Sequence, residues 1–286
     1  MRKGNNPNRS AGADQFMPIV LTAVTHLPNL LGYHAGRMEV VQTCLNTMRD
    51  NAGQETTIIV WDNGSSADLR DWLQFEYKPD MLMLSDNVGK TAARTSLIRM
   101  CPPGSIIGYS DDDIYFYPNW LAPQLELLKH FPNVAAVTGY PVRTAFRWGI
   151  DNTLAWARKN GTLEQGEFIP RQWEDDFCVS IGRDPIWHME NTTEDIDYRV
   201  TYKGKHAYCT AHHCQFIGYQ ETLVKVTHYD GKSMGDEKVI DIALDKLGLR
   251  LATINRLTRH IGNVIGSENF TENAWRVNED LTEVMI

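Results

Sequence analysis

Ile107-Gly-Tyr-Ser-Asp-Asp-Asp-Ile-Tyr-Phe-Tyr-Pro-Asn-Trp-Leu121 is the stretch on which the fold turns. Ser105 to Tyr109 reads as a buried strand, and it runs straight into Asp111, Asp112 and Asp113. Three carboxylates in a row after a buried strand repel one another, and a divalent cation offsets that repulsion. Alternate residues of an extended segment point the same way, so Asp111 and Asp113 can share one ion while Asp112 faces elsewhere. Taken alone, the triplet is equally well a solvated acidic turn.

Upstream, strands and helices alternate. Ile19 to Thr25 is an apolar, β-branched run and predicts a first strand. Met38, Val41, Leu45 and Met48 recur at helical spacing. Thr57 to Trp61 predicts a second strand ending at the turn Asp62-Asn63-Gly64-Ser65. Asp68 to Phe75 predicts a short helix, Met81 to Leu84 a third strand and Gly89 to Met100 a further helix. Downstream, a helix from about Asn119 to Lys129 and a strand at Val134 to Thr138 follow. Such alternation predicts an α/β fold with a mostly parallel sheet covered by helices on both faces. Ligands of such sheets bind beyond the carboxyl ends of the strands, which is where Asp62, Asn87 and the three aspartates all fall. From Tyr140 to His188 the chain is rich in Trp, Arg and Pro with little periodicity, and predicts loops and an inserted subdomain. Asp241 to Leu247 then reads as a helix and Leu249 to Thr253 as a strand.

The 286 residues suffice for one large α/β domain, or for one with an elaborated C-terminal part. We divide them into a disordered polar leader (1–15), a first half (16–140), a second half (141–266) and a polar tail (267–286). The net charge of −8 argues against nucleic acid as partner, since phosphate contacts need clustered Lys and Arg. No run approaches the roughly 20 apolar residues of a membrane span, although peripheral membrane contact stays open. Five cysteines without a C-x-x-C pair point to a reducing, cytoplasmic setting. Cys209 and Cys214 flank His212 and His213, but the spacing matches no common zinc pattern.

The opening stretch, an acidic motif after a strand and then Pro-Asn-Trp-Leu121, resembles the DxD segment of family 2 glycosyltransferases, which have the GT-A (Rossmann-like) fold. Ile58-Ile-Val-Trp-Asp-Asn-Gly-Ser65 looks like that family's second strand, and Asn87-Val-Gly-Lys-Thr-Ala-Ala-Arg94 is similar to its Asn-x-Gly segment over the nucleotide. Order and spacing of the three agree over about residues 18 to 130. The resemblance implies a nucleoside-diphosphate-sugar donor. Thr22, Ala23 and Asp62 would hold the base, and Asn87, Lys90, Arg94 and Asp112 would lie along the nucleotide and diphosphate. Asp111 and Asp113 would hold Mn2+ or Mg2+, hard cations suited to carboxylate and diphosphate oxygens. The plainer alternatives are a solvated helix face for Lys90 and Arg94 and a turn cap for Asp62.

Sugar transfer to a hydroxyl acceptor needs a general base, normally a carboxylate. Two blocks offer one. Thr193-Glu194-Asp195 reads like the family's Thr-Glu-Asp motif, with Asp195 as base. Gly235-Asp236-Glu237, followed by Gly248, Arg250-Leu251 and His260-Ile-Gly-Asn263, resembles the family's acidic pair, helix, Gly-x-Arg-Leu strand and histidine. The second block is preferred because it supplies a base and, in His260, a metal-binding histidine together. His212 and His213 are the rival ligands. Trp148, Trp156, Trp173 and Trp187 suit either sugar stacking or core packing. Arg143, Arg147 and Arg171 could meet an anionic acceptor. The expectation is a metal-dependent, inverting glycosyltransferase whose second half binds a sugar or other hydroxyl acceptor. The rivals are a non-catalytic nucleotide-sugar-binding protein and a sugar nucleotidyltransferase. The latter would want a basic loop after the first strand, where His26 to Gly36 has neither Lys nor Arg.

Overall fold

β1 (Ile19–Thr25) runs down the middle of the first half, between β2 (Thr57–Asn63) and β4 (Ile106–Ser110), parallel to both. Its side chains alternate between two apolar layers. Leu21 and Ala23 pack with Ile58, Val60 and Ile106 on one face, and Val20 and Val24 pack with Ile59, Ile107 and Tyr109 on the other. A strand apolar on both sides must be covered on both sides, which is why helices flank it. The computed structural model describes residues 18–192, 196–226 and 237–262.

The first layer is closed by α1 (Arg37–Asp50) and α4 (Leu121–His130), with α2 (Ala67–Asp71) and the π-helical turn after it (Trp72–Tyr77). The second is closed by α3 (Lys90–Met100), α8 (Gln220–Leu223) and α9 (Glu237–Leu247). The longer covering helices show the spaced apolar stripe that makes them amphipathic, as in Val41, Cys44, Leu45 and Met48 of α1.

With β3 (Met81–Ser85), β6 (Val134–Thr138), β7 (Thr162–Gly166), β8 (Asp197–Tyr202), β9 (Lys205–Tyr208), β10 (Gln215–Tyr219) and β11 (Leu249–Ala252), one ten-stranded sheet forms in the order β3-β2-β1-β4-β10-β6-β11-β9-β8-β7. The expected parallel pairing holds from β3 to β4 and between β6 and β11. The rest is antiparallel: β10 inserts against both β4 and β6, β8 and β9 form a hairpin, and β7 and β9 pair antiparallel with β8 and β11. The sheet is therefore mixed.

The stretch after Tyr140 is more regular than its composition predicts. A 3-10 turn (Arg143–Arg147) leads to α5 (Asp151–Asn160), α6 (Arg171–Ser180) and α7 (Pro185–Thr192). These helices are short, and tertiary anchors rather than intrinsic periodicity hold them. Asp245 accepts from the backbone of Asn152 and Thr153 at the start of α5, and Glu174 of α6 accepts from the backbone of Arg143.

Two further strands carry functional weight. β5 (Ile114–Phe116) and β12 (Thr258–His260) pair antiparallel just past the end of β4, with His260 opposite Ile114. No helix among the described residues is long and apolar enough to cross a membrane.

Candidate active site

The acidic triplet leaves the carboxyl end of β4 and is neutralised by the protein's own cations. Lys90 Nζ lies 2.8 Å from Asp111 Oδ2. Arg37 straddles the next two residues, pairing with Asp112 and lying 3.1 Å from Asp113 Oδ2. The repulsion that a divalent ion was expected to offset is thus already reduced. Tyr109 donates its hydroxyl hydrogen to the other oxygen of Asp111. Asp112 accepts from the backbone N–H of His26, and burial pushes its carboxyl up against the pull of Arg37.

Asp113 differs from its neighbours. Burial pushes its carboxyl up, but His260 and Arg37 outweigh burial and hold it well below the usual carboxylate range. Its Oδ1 is a buried oxygen without a hydrogen-bond partner among the described residues. His260 Nε2 stands 3.4 Å from its Oδ2. β12 makes this contact, since the antiparallel ladder and the bond from Ile261 N–H to Asp113 O lay the two residues side by side. Ser180 gives its single hydroxyl hydrogen to Phe177 O, so it accepts from Nδ1–H of His260 2.7 Å away. In the neutral ring that leaves the lone pair of Nε2 facing a carboxylate oxygen, an arrangement that calls for a cation between them or for the proton of the imidazolium form, whose charge is what holds Asp113 down. A carboxylate oxygen with an open lone pair and an imidazole nitrogen suit Mn2+ well. Of the three residues predicted as ligands, Asp113 and His260 come together, while both oxygens of Asp111 are committed to Lys90 and Tyr109.

Glu237 opens α9 and faces the same rim. Lys90 Nζ lies 3.3 Å from its Oε1 and Arg94 NH1 2.9 Å from its Oε2. Burial pushes its carboxyl up, but Lys90 and Arg94 outweigh this and bring it to about 2. Asp236, its predicted companion, lies outside the described residues, as do Glu194 and Asp195 of the rival pair. What is described of the rival block is Asp197 at the start of β8, five strands from β4. There it accepts from the backbone of Phe168 and Ile169 and pairs with Arg143. Arg143 is buried and engaged there, and Arg171 pairs along its own helix with Asp175.

The predicted base-binding residues sit deeper than the rim. Thr22 and Ala23 are fully buried in mid-strand, and Thr22 gives its hydroxyl hydrogen to Gly108 O. Asp62 is fully buried, paired with Arg70 at 2.8 Å and capping the turn through Ser65 N–H. The rim itself is built by His26, Asn63 and Asn87. His26 Nδ1 lies 2.8 Å from Asn63 O, and Asn63 Nδ2 donates to Asn87 Oδ1. Gly64 permits this closeness, because it holds φ +83° and a Cβ there would lie 2.8 Å from the backbone nitrogen of Asn87. His26 was missed in the sequence, although it follows the first strand as Asp62 ends the second. Arg37 carries no local signal.

β10 brings a further group to the rim. Its antiparallel register on β4 sets Cys214 beside the triplet, with Asp111 N–H donating to Cys214 O. His212, His213 and Cys214 place their ligand-type atoms within 4.8 Å of one another, while Cys209 is not among them. Cys214 N–H donates to Nδ1 of His212, which leaves the ring proton on Nε2 and no lone pair there for a metal. His213 is more exposed and pairs with Asp241 at 3.0 Å. All five cysteines are buried and free. Among the tryptophans, Trp173 is buried and Trp156 packs edge-on against Phe131 and Tyr202, whereas Trp148 and Trp187 are exposed. Lys238 lies over the ring of Trp148.

Among solved structures, the chain is similar to S. aureus TarS 1-349 (TM-score 0.47, 10% identity), covering 86% of this chain and 60% of that one. It is similar to GalNAc-T7 with UDP, GalNAc and Mn2+ (TM-score 0.46, 13% identity, 83% of this chain and 42% of that one). It is also similar to the mannosyltransferase PcManGT from Pyrobaculum calidifontis in complex with GDP-Man and Mn2+ (TM-score 0.32, 19% identity, 43% of this chain and 36% of that one). The chain therefore spans less than two thirds of the length of each. No curated protein matches it. The Glycosyl transferase family 2 description matches residues 35–186, just over half of the chain and the part that carries β2, α3 and the acidic triplet, and the chain belongs to that family.

Proposed function

We propose that the chain transfers a sugar from a nucleoside-diphosphate-sugar donor to a hydroxyl acceptor, with Mn2+ or Mg2+ held at Asp113 and His260. The observation that carries this is the apposition of His260 Nε2 and Asp113 Oδ2 across 3.4 Å at the carboxyl end of β4, beside a carboxylate oxygen with no partner among the described residues. A cation bound there neutralises charge on the departing nucleoside diphosphate.

The protein's own groups do the rest. Lys90 and Arg94 are positioned at the diphosphate end, where their positive charge is balanced by Asp111 and Glu237 until a donor arrives. The His26, Asn63 and Asn87 rim offers hydrogen-bonding groups to the nucleoside. Trp148, exposed next to α9, offers a ring face to the acceptor. Single displacement with inversion is the chemistry proposed, since it needs a base but no protein nucleophile. The free thiols support a reducing, cytoplasmic setting.

The test is nucleoside-diphosphate release from a panel of nucleotide sugars, with and without Mn2+, in the presence of candidate acceptors. Metal-dependent release supports the proposal. Pyrophosphate release would assign the chain as a nucleotidyltransferase instead, and tight binding without turnover as a non-catalytic binding protein.

A further inference from the structure

A second group of metal-type ligands lies among the helices of the second half, and the transfer reaction uses none of it. Glu174 and Cys178 stand four positions apart on α6, hence on one face of that helix, and His188 comes from α7. All three are fully buried, and a carboxylate oxygen, a thiol sulfur and a ring nitrogen lie within 4.8 Å of one another. The lighter atoms are closer still. His188 Nε2 is 3.0 Å from Glu174 Oε1 and 3.0 Å from Thr144 Oγ1, and Thr144 Oγ1 also meets Glu174 Oε1. Oxygen and nitrogen ligands about 2.0–2.1 Å from a tetrahedral zinc ion lie roughly 3.3 Å from each other. The triangle is close to that size.

Charge points the same way. A buried carboxylate needs a compensating charge. The ion-pair partner of Glu174 is His188, while the guanidinium of Arg143 is committed to Asp197 and Ile169 O. Burial, then Glu174 and Asp175, push the Cys178 thiol up to about 12, so its thiolate form needs a cation beside it. A divalent ion with one thiolate and one carboxylate is electrically neutral. The other oxygen of Glu174 accepts from the backbone N–H of Arg143 at 2.8 Å, the kind of outer bond that orients a ligating carboxylate.

We infer that Glu174, Cys178 and His188 bind a structural Zn2+, with Thr144 Oγ1 beside the fourth position. Thiolate and imidazole together favour zinc over the harder Mn2+ or Mg2+. Binding releases the thiol proton to solvent. The ion ties α6 and α7 to the 3-10 turn that carries Thr144. α6 also carries Ser180, which accepts from His260, and Phe177, whose ring meets that of His260 edge-on. The zinc thus steadies the helix behind the histidine assigned to the transfer cation. The inference stands apart from the transferase reading, since zinc content is measured without any sugar donor.

The experiment takes the full chain, purified in reducing buffer from zinc-supplemented medium, and measures metal by mass spectrometry. The parent should hold about one zinc per chain. Cys178→Ser and His188→Ala should each hold at least tenfold less, whereas Cys214→Ser, in the other histidine–cysteine cluster, should hold as much as the parent. Cobalt exchanged into the parent should give a thiolate-to-metal charge-transfer band that Cys178→Ser lacks. If Cys178→Ser does not fold, the cobalt spectrum of Cys214→Ser decides: the band remains if Cys178 is the ligand, and its absence overturns the inference. Zinc retained by Cys178→Ser and His188→Ala overturns it too. A folded parent with neither zinc nor a cobalt band does so outright, and makes the cluster a closed hydrogen-bond network.

Discussion

The guanidinium of Arg37 stands 3.1 Å from Oδ2 of Asp113 and reaches it across 76 residues of chain. The same side chain pairs with Asp112, and all three side chains are largely buried. One cation from the start of α1 thus holds the motif at the end of β4. Removing it leaves two buried carboxylates without their partner, which costs about 3–5 kcal/mol. We expect Arg37→Ala to lose that much stability in urea unfolding. Mn2+ should raise the unfolding midpoint of the variant more than that of the parent, because it replaces part of the missing charge.

Asp113→Asn and His260→Ala remove the two groups assigned to the cation. Each should weaken Mn2+-dependent binding of a nucleoside diphosphate at least tenfold, about 1.4 kcal/mol, as read by calorimetry. Ser180→Ala should weaken it less, since it removes only the acceptor that fixes the His260 ring 2.7 Å away. Undiminished binding in His260→Ala would exclude it as a ligand.

Glu237 supplies a pH signature. Its folded carboxyl titrates near 2, below its ordinary value of 4.5, because Lys90 and Arg94 outweigh burial. A depressed carboxylate contributes stability that is fully present above 4.5 and is lost as pH falls towards 2, a contribution of about 3 kcal/mol. The stability difference between the parent and Glu237→Gln should therefore be constant from pH 7 to 5 and shrink between pH 4.5 and 2. A difference that stays flat over the acid range would mean that the cluster does not form.

Gly64→Ala tests the rim. The new Cβ would meet the Asn87 backbone at 2.8 Å, in a left-handed conformation that alanine resists. The expected cost is about 1–3 kcal/mol in stability. Nucleotide affinity should fall with it, because Asn63 and Asn87 are pushed apart.

Much of the first half is legible in the amino-acid sequence. Ile19–Thr25, Thr57–Asn63 and Ile106–Ser110 are strands where their apolar, β-branched runs predict them. Local pattern decides such elements, because a strand buried on both faces admits little else. The second half is less legible. The start of α5 is held by Asp245, 92 positions away, and Glu174 in the first turn of α6 binds the backbone of Arg143, 31 positions away, so no short window of sequence contains both partners.

For the candidate site, the sequence by itself determined which carboxylates stand at the strand end and which histidine follows the acidic pair. These follow from the short-range order of strand, turn and helix. Only the tertiary structure decided their partners. Lys90 neutralises Asp111, Arg37 holds Asp112 and Asp113, His260 reaches Asp113, and Asp241 pairs with His213. Each pairing joins residues 21 or more positions apart, and it is set by the register of β12 on β5 and of β10 on β4 and by the packing of α3 against α9. Chain distance carries no information about such contacts, because the sheet brings distant strand ends to one rim.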